Sequence, residues 1–155
     1  MKYYVGVAIA AAAVFVAIFF WPSGADSHGP LFTCHVNGVH DGDGPLYCDE
    51  GEKVRLTAIA ARELNETCNP GHPCPAASAA SATQELRSLS LGQALTCEKT
   101  GTSYKRTTAW CWRPDGTELN CAMMRSEKAA YWPKFDPAKR ICNQPAPFAS
   151  AAHKE

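Results

Sequence analysis

The stretch VRLTAIAARE, residues 54–63, carries an arginine near its start, a glutamate at its end and only small or apolar residues between them. The alternation of Val54, Arg55 and Leu56 reads as a half-buried strand. What lies around it makes that strand the third of a set. FTCHVNGVH (32–40) reads as extended and runs into DGDGPLYC (41–48). The Asp-Gly pair is a hairpin signal, because glycine tolerates φ > 0. Cys34 and Cys48 lie seven residues on either side of Asp41, so a hairpin turning there predicts that they face each other and bond. EKVRLTAIA (52–60) is then the third strand.

Beyond a Pro/Gly loop at 65–75, PAASAASATQELRSLSLG (75–92) predicts a helix. Pro75 stands near its start and Gly92 marks its end. Ala79, Ala82, Leu86 and Leu89 form the expected buried stripe. QALTCEKT (93–100) and TTAWCWRP (107–114) are strands joined by GTSYKR. Cys97 and Cys111 flank Tyr104 symmetrically, which predicts a second cross-strand bridge. PDGT (114–117) is a turn, and ELNCAMMRSEKAA (118–130) is a short second helix whose methionines fill core. The order of three strands, helix, two strands, helix predicts a small β-barrel capped by a helix. Residues 32–142 are its domain, and 143–155 are a Pro/Ala-rich flexible tail.

Residues 1–25 read separately. Val5 to Trp21 is an apolar run of 17 residues, preceded by Lys2. It serves either as a membrane anchor or as a signal peptide cut after Ala25, where Ser23 and Ala25 fit the small-x-small rule. Both readings place the domain outside the cytosol, in a periplasmic or extracellular space. The cysteines agree: Cys34, Cys48, Cys68, Cys74, Cys97, Cys111, Cys121 and Cys142 are even in number and all follow the apolar run. In a small exported domain such a set is a disulfide framework. CNPGHPC (68–74) reads as a stapled loop, since its cysteine spacing is not that of a zinc knuckle.

Formal net charge is zero, and removal of residues 1–25 leaves 14 basic against 15 acidic residues. That balance does not advertise tight nucleic-acid binding, which usually shows a basic surface. Any contact with a polyanion must be local. Trp110 and Trp112 share one face of their strand, either as packing beneath a helix or as a platform for bases. His35, His40 and His72 read as surface residues.

Five motifs occur in order: HDGDG (40–44), VRLTAIAARE (54–63), ASATQELRSLSLG (80–92), YKRTTA (104–109) and DGTELNCAMMRSEKA (115–129). Together they resemble the staphylococcal-nuclease (thermonuclease-like) family over residues 32–132. The resemblance implies an OB-fold five-stranded barrel with two to three helices. It also implies calcium-assisted hydrolysis of a phosphodiester in single-stranded DNA or RNA by a monomeric protein. Carried over by position, Asp43 and Asp41 match acids of the metal site, Arg55 and Arg106 match the phosphate-binding arginines, and Glu63 matches the general base. The chemistry is coherent, because guanidinium groups match phosphate geometry and a glutamate can take a proton from water. The sequence departs from the family where a second ligand aspartate should stand. That position is Ala60, and calcium binding should be weakened accordingly. Arg62 replaces a proline, Gly44 a threonine and Lys105 a glycine. Arg62 is a candidate substitute phosphate contact and Glu66 a candidate substitute acid. Two function classes follow: a nuclease with an incomplete metal site, or a catalytically inactive barrel that binds nucleic acid or an envelope partner.

Overall fold

A computed structural model describes residues 28–148. The apolar segment 5–21 and residues 149–155 lie outside the described residues. The chain is mainly β. Among the described residues seven strands, β1 (Leu31–Val39), β2 (Leu46–Cys48), β3 (Lys53–Leu56), β4 (Ile59–Ala60), β5 (Ala94–Ser103), β6 (Arg106–Trp112) and β7 (Ala130–Tyr131), accompany two helices, α1 (Ala79–Ser90) and α2 (Leu119–Arg125). A 3-10 turn at Pro133–Phe135 follows β7.

Five strands close into a barrel in the order β1-β2-β3-β6-β5. All neighbours are antiparallel except β3 and β6. Closure leaves no unpaired sheet edge in the barrel. The order and the single parallel pair are consistent with an OB-like barrel. Alternation explains the filling: Leu46, Val54, Leu56 and Leu95 are at most 1 % exposed, while Lys53, next to Val54, faces solvent. Burial of this apolar surface is the main stabilising term.

The expected third strand is two strands with an elbow between them. β3 stops at Leu56, and β4 pairs away from the barrel with β7, Ile59 opposite Tyr131 and Ala60 opposite Ala130. Ala58 turns the corner with φ +60°, a conformation that crowds Cβ against the following carbonyl. Asn120 locks this elbow. Its buried side-chain amide donates to the carbonyls of Thr57 (2.8 Å) and Ala109 (3.2 Å), and its Oδ1 accepts from Cys111 N–H.

Helix α1 begins at Ser78, whose hydroxyl accepts from Ser81 N–H. The Glu66 carboxylate accepts from Ala79 N–H as well, so two orphan donors of the first turn are satisfied. Its buried face is Ala79, Ala82, Thr83, Leu86 and Ser90. Leu89 is only partly buried.

Four disulfides join Cys34–Cys48, Cys68–Cys74, Cys97–Cys111 and Cys121–Cys142. The two cross-strand bridges and the stapled loop are those the spacings predict. Cys97 stands directly opposite Cys111. Cys34 does not stand opposite Cys48, whose partner is Val36. The β1–β2 turn is therefore centred beyond Asp41, and a register shift lets the bridge form diagonally.

Trp110 and Trp112 are 2 % and 1 % exposed, so neither is a base-stacking platform. Met123 is fully buried and Met124 half-buried. Of the segment expected to be a mobile tail, residues 143–148 are described, and Ala146 is packed in the core. The reason is the Cys121–Cys142 bridge, which fixes the chain against α2 just before it. Four disulfides fit an oxidising environment outside the reducing cytosol. Among the described residues no helix is long and apolar enough to cross a membrane.

Candidate functional site

The Asp41-Gly42-Asp43 turn is wedged between β4 and helix α1. A Cβ on Gly42 would lie 2.4 Å from the Ala82 Cβ and 2.8 Å from the Ala61 Cβ, so only glycine fits. Gly44 has φ +110°, and a Cβ there would lie 2.6 Å from the Val54 carbonyl oxygen. The turn is thus pressed onto β3, and Leu56 N–H donates to the Asp43 carbonyl at 3.0 Å. This places the side chain of Asp43 beside that of Arg55.

Asp43 is the hub. Arg55 Nη1 lies 3.1 Å from Asp43 Oδ1, with both side chains 12 % exposed. Ala61 N–H donates to Oδ2 at 2.9 Å. The Arg55 contact brings charges together without an aligned hydrogen bond, and Nη1 is buried with no hydrogen-bond partner among the described residues. Asp41 Oδ1 accepts from Asp43 N–H at 3.2 Å. Burial pushes the Asp43 carboxyl up to about 7; the Arg55 charge opposes this, and Asp41 and Glu63 add to it. Burial also raises Asp41, against the Asp43 N–H and His40, with Glu63 again adding. Two aspartates therefore share one arginine, and the Glu63 charge acts on both.

Glu63 reaches this cluster through its charge and is held from the other side, where Asn69 Nδ2 donates to Glu63 Oε1 at 2.6 Å. Asn69 belongs to the stapled loop 68–74. No sequence signal singled it out. Asn120 had one: a polar residue set between apolar neighbours in the second helix.

Arg106 stands apart from the acids. β3 and β6 run parallel with Arg55 opposite Thr108, so Arg106, two residues earlier, projects from the same side of the wall as Arg55. Its Nε donates to the Ser103 carbonyl at the turn end of its own hairpin, and it makes no ion pair among the described residues. Arg62 donates through Nε and Nη1 to the carbonyls of Pro75 and Glu66. The Glu66 carboxylate accepts from Ala79 N–H at the start of α1. Each is committed to fixing the 62–79 connection.

The donor set fits calcium poorly. Calcium takes 6–8 oxygen ligands. Both Asp43 oxygens already face donors, position 60 offers only a methyl group, and among the described residues no three His, Cys, Asp or Glu side chains are grouped to hold a metal ion. His72 faces Trp132, with ring centroids 4.2 Å apart, and Trp132 meets Phe135 edge-on at 4.6 Å. A surface groove lined by Met124, Tyr131 and Ile141 shares no residue with the acid–arginine cluster.

The barrel and its buried acid–arginine cluster define a class: a small OB-like domain with a polar site where a strand elbow meets a hairpin turn. Compared with protein-family models and with curated proteins, the chain matches none.

Proposed function

We propose that this is an exported, disulfide-stapled barrel of the thermonuclease type that binds a phosphate of single-stranded DNA or RNA at Arg55, without calcium-dependent cleavage. The observation that carries the reading is Arg55 Nη1, ion-paired with Asp43 at 3.1 Å but without a hydrogen bond among the described residues. A buried guanidinium donor without a hydrogen bond is costly. A phosphate oxygen supplies the missing acceptor in the geometry a guanidinium matches. Asp43 is then an internal stand-in for phosphate and competes with it. Arg106, on the same side of the wall, supplies a second cationic contact along the strand. The apolar N-terminal segment, retained as an anchor or cleaved, delivers the domain to the periplasm or the cell exterior. A formal net charge of zero fits a footprint of a few phosphates.

Removing the competitor tests this. Asp43→Asn should tighten binding of a short oligothymidylate about tenfold, a change of about 1.4 kcal/mol. Arg55→Gln should abolish it. If Asp43→Asn weakens binding, Asp43 is not a competitor and the reading is wrong.

One observation favours the hydrolytic alternative. Asp41 and Asp43 are both pushed up and both feel Glu63, a crowding of like charge that a divalent cation would relieve. Cleavage of single-stranded DNA that requires calcium and disappears in Glu63→Gln would replace the binding reading with that one.

A further inference from the structure

In two of the four bridges, Cys34–Cys48 and Cys97–Cys111, both cysteines are at most 5 % exposed, and in Cys121–Cys142 one is 7 % exposed and the other half-buried. Cys68–Cys74 differs, with Cys74 exposed and Cys68 half-buried. It also spans the shortest sequence separation, 6 residues against 14, 14 and 21. Loop-closure stabilisation grows with the logarithm of loop length, so this bridge contributes least to the barrel. What it holds is local and adjoins the site. Its loop carries Asn69, which donates to Glu63 Oε1 at 2.6 Å, and His72, which packs on Trp132. The base of the loop is fixed independently by the Arg62 bonds to the Pro75 and Glu66 carbonyls. An opened loop therefore stays attached at its root.

We propose that Cys68–Cys74 is a thiol–disulfide exchange site for an external dithiol, and that its opening releases Asn69 from Glu63. A partner thiolate attacks Cys74 Sγ, the S–S bond breaks, and Cys68 leaves as a thiolate and takes up a proton. The partner's second thiol then resolves the mixed disulfide. One protein disulfide and one dithiol yield two cysteines and one oxidised partner. The bridge thus acts as a redox-controlled clamp on one acid of the site. This goes beyond the phosphate-binding reading and does not depend on it.

The oxidised full-length chain should be treated with graded dithiothreitol under native conditions, trapped with iodoacetamide and mapped by peptide mass. Cys68 and Cys74 should be labelled at least tenfold faster than any other cysteine. Earlier labelling of another pair, or one common rate, overturns the exchange site. Hydrogen exchange on the opened protein, and on Cys68→Ser/Cys74→Ser, tests the clamp. Protection should fall at the amides of Glu63 and His72, which bond Thr67 and Asn69, while the barrel strands keep theirs. Unchanged protection at those amides, or loss spread through the barrel, overturns it.

Discussion

Two buried carboxylates in this small protein each face an arginine, and they are treated in opposite ways. Glu98 on β5 is 2 % exposed. Arg140 grips both its oxygens, at 2.9 and 2.7 Å, and Gly29 N–H and His28 complete the set. Burial works against its charge, but the Arg140 hydrogen bonds, the Gly29 amide and the Arg140 charge outweigh burial and hold the carboxyl below its usual range. Arg140 also lies over the Trp110 ring. Asp43 has one unaligned arginine contact, one amide, and two acids nearby. Burial wins there. Glu98 ties both ends of the described chain to the barrel. Asp43 stands at a site whose polar groups are incompletely matched, as expected where a ligand completes the set.

The contrast can be broken by removing each arginine. Arg140→Gln leaves Glu98 buried with one principal partner gone and should destabilise the protein by about 3 kcal/mol, the low end for a broken buried pair. Arg55→Gln should cost about 1 kcal/mol, because Asp43 can relieve itself by keeping its proton. Urea denaturation of the two variants at pH 7 measures both. Equal losses would mean that the two pairs do the same job.

A smaller effect comes from pH. Burial raises Glu118 from 4.5 to about 7, the Cys142 amide opposes this, and Asp136 adds to it. Its folded form holds a proton more tightly than the unfolded chain does. The stability this confers is present below pH 4.5 and is lost as pH rises through 7. The protein should therefore be more stable at pH 5 than at pH 8. Glu118→Gln should remove its own share of this dependence, on the order of 2 kcal/mol, and leave the share of Asp43, which burial also raises to about 7. Glu98→Gln should leave the slope between pH 5 and 8 in place, since Glu98 titrates below that window. A slope that survives Glu118→Gln intact would assign it to other groups.

The smallest expected effect is at the elbow. Ala58→Gly relieves the left-handed backbone and should stabilise by about 0.5–1 kcal/mol, read as a higher melting temperature. A loss instead would show that the Ala58 methyl group, 3 % exposed, contributes more by packing than its backbone conformation costs.

The barrel was largely legible because its signals are local. Alternation placed β1, β3, β5 and β6, Pro75 and Gly92 bracketed α1, and symmetric cysteine spacings identified two bridges. The elbow at Ala58 was hidden, because alanine carries no turn signal and the bend is imposed by Asn120 from 63 residues away. The site was half legible. Asp43 and Arg55 do meet, and Glu63 bears on both aspartates. Arg62 and Glu66 could not be placed from sequence, since their partners are backbone carbonyls and a helix terminus that exist only after folding. Asn69 was invisible for the same reason: its role depends on a bridge that folds the loop back on Glu63.

The most direct test is a calorimetric titration of the oxidised full-length chain with a short single-stranded oligothymidylate in chelator, repeated with calcium, for the native protein, Asp43→Asn and Arg55→Gln. The account predicts binding that does not need calcium, tightens about tenfold in Asp43→Asn and vanishes in Arg55→Gln, with the oligonucleotide recovered uncut. Binding that appears only with calcium, or persists unchanged in Arg55→Gln, would contradict it.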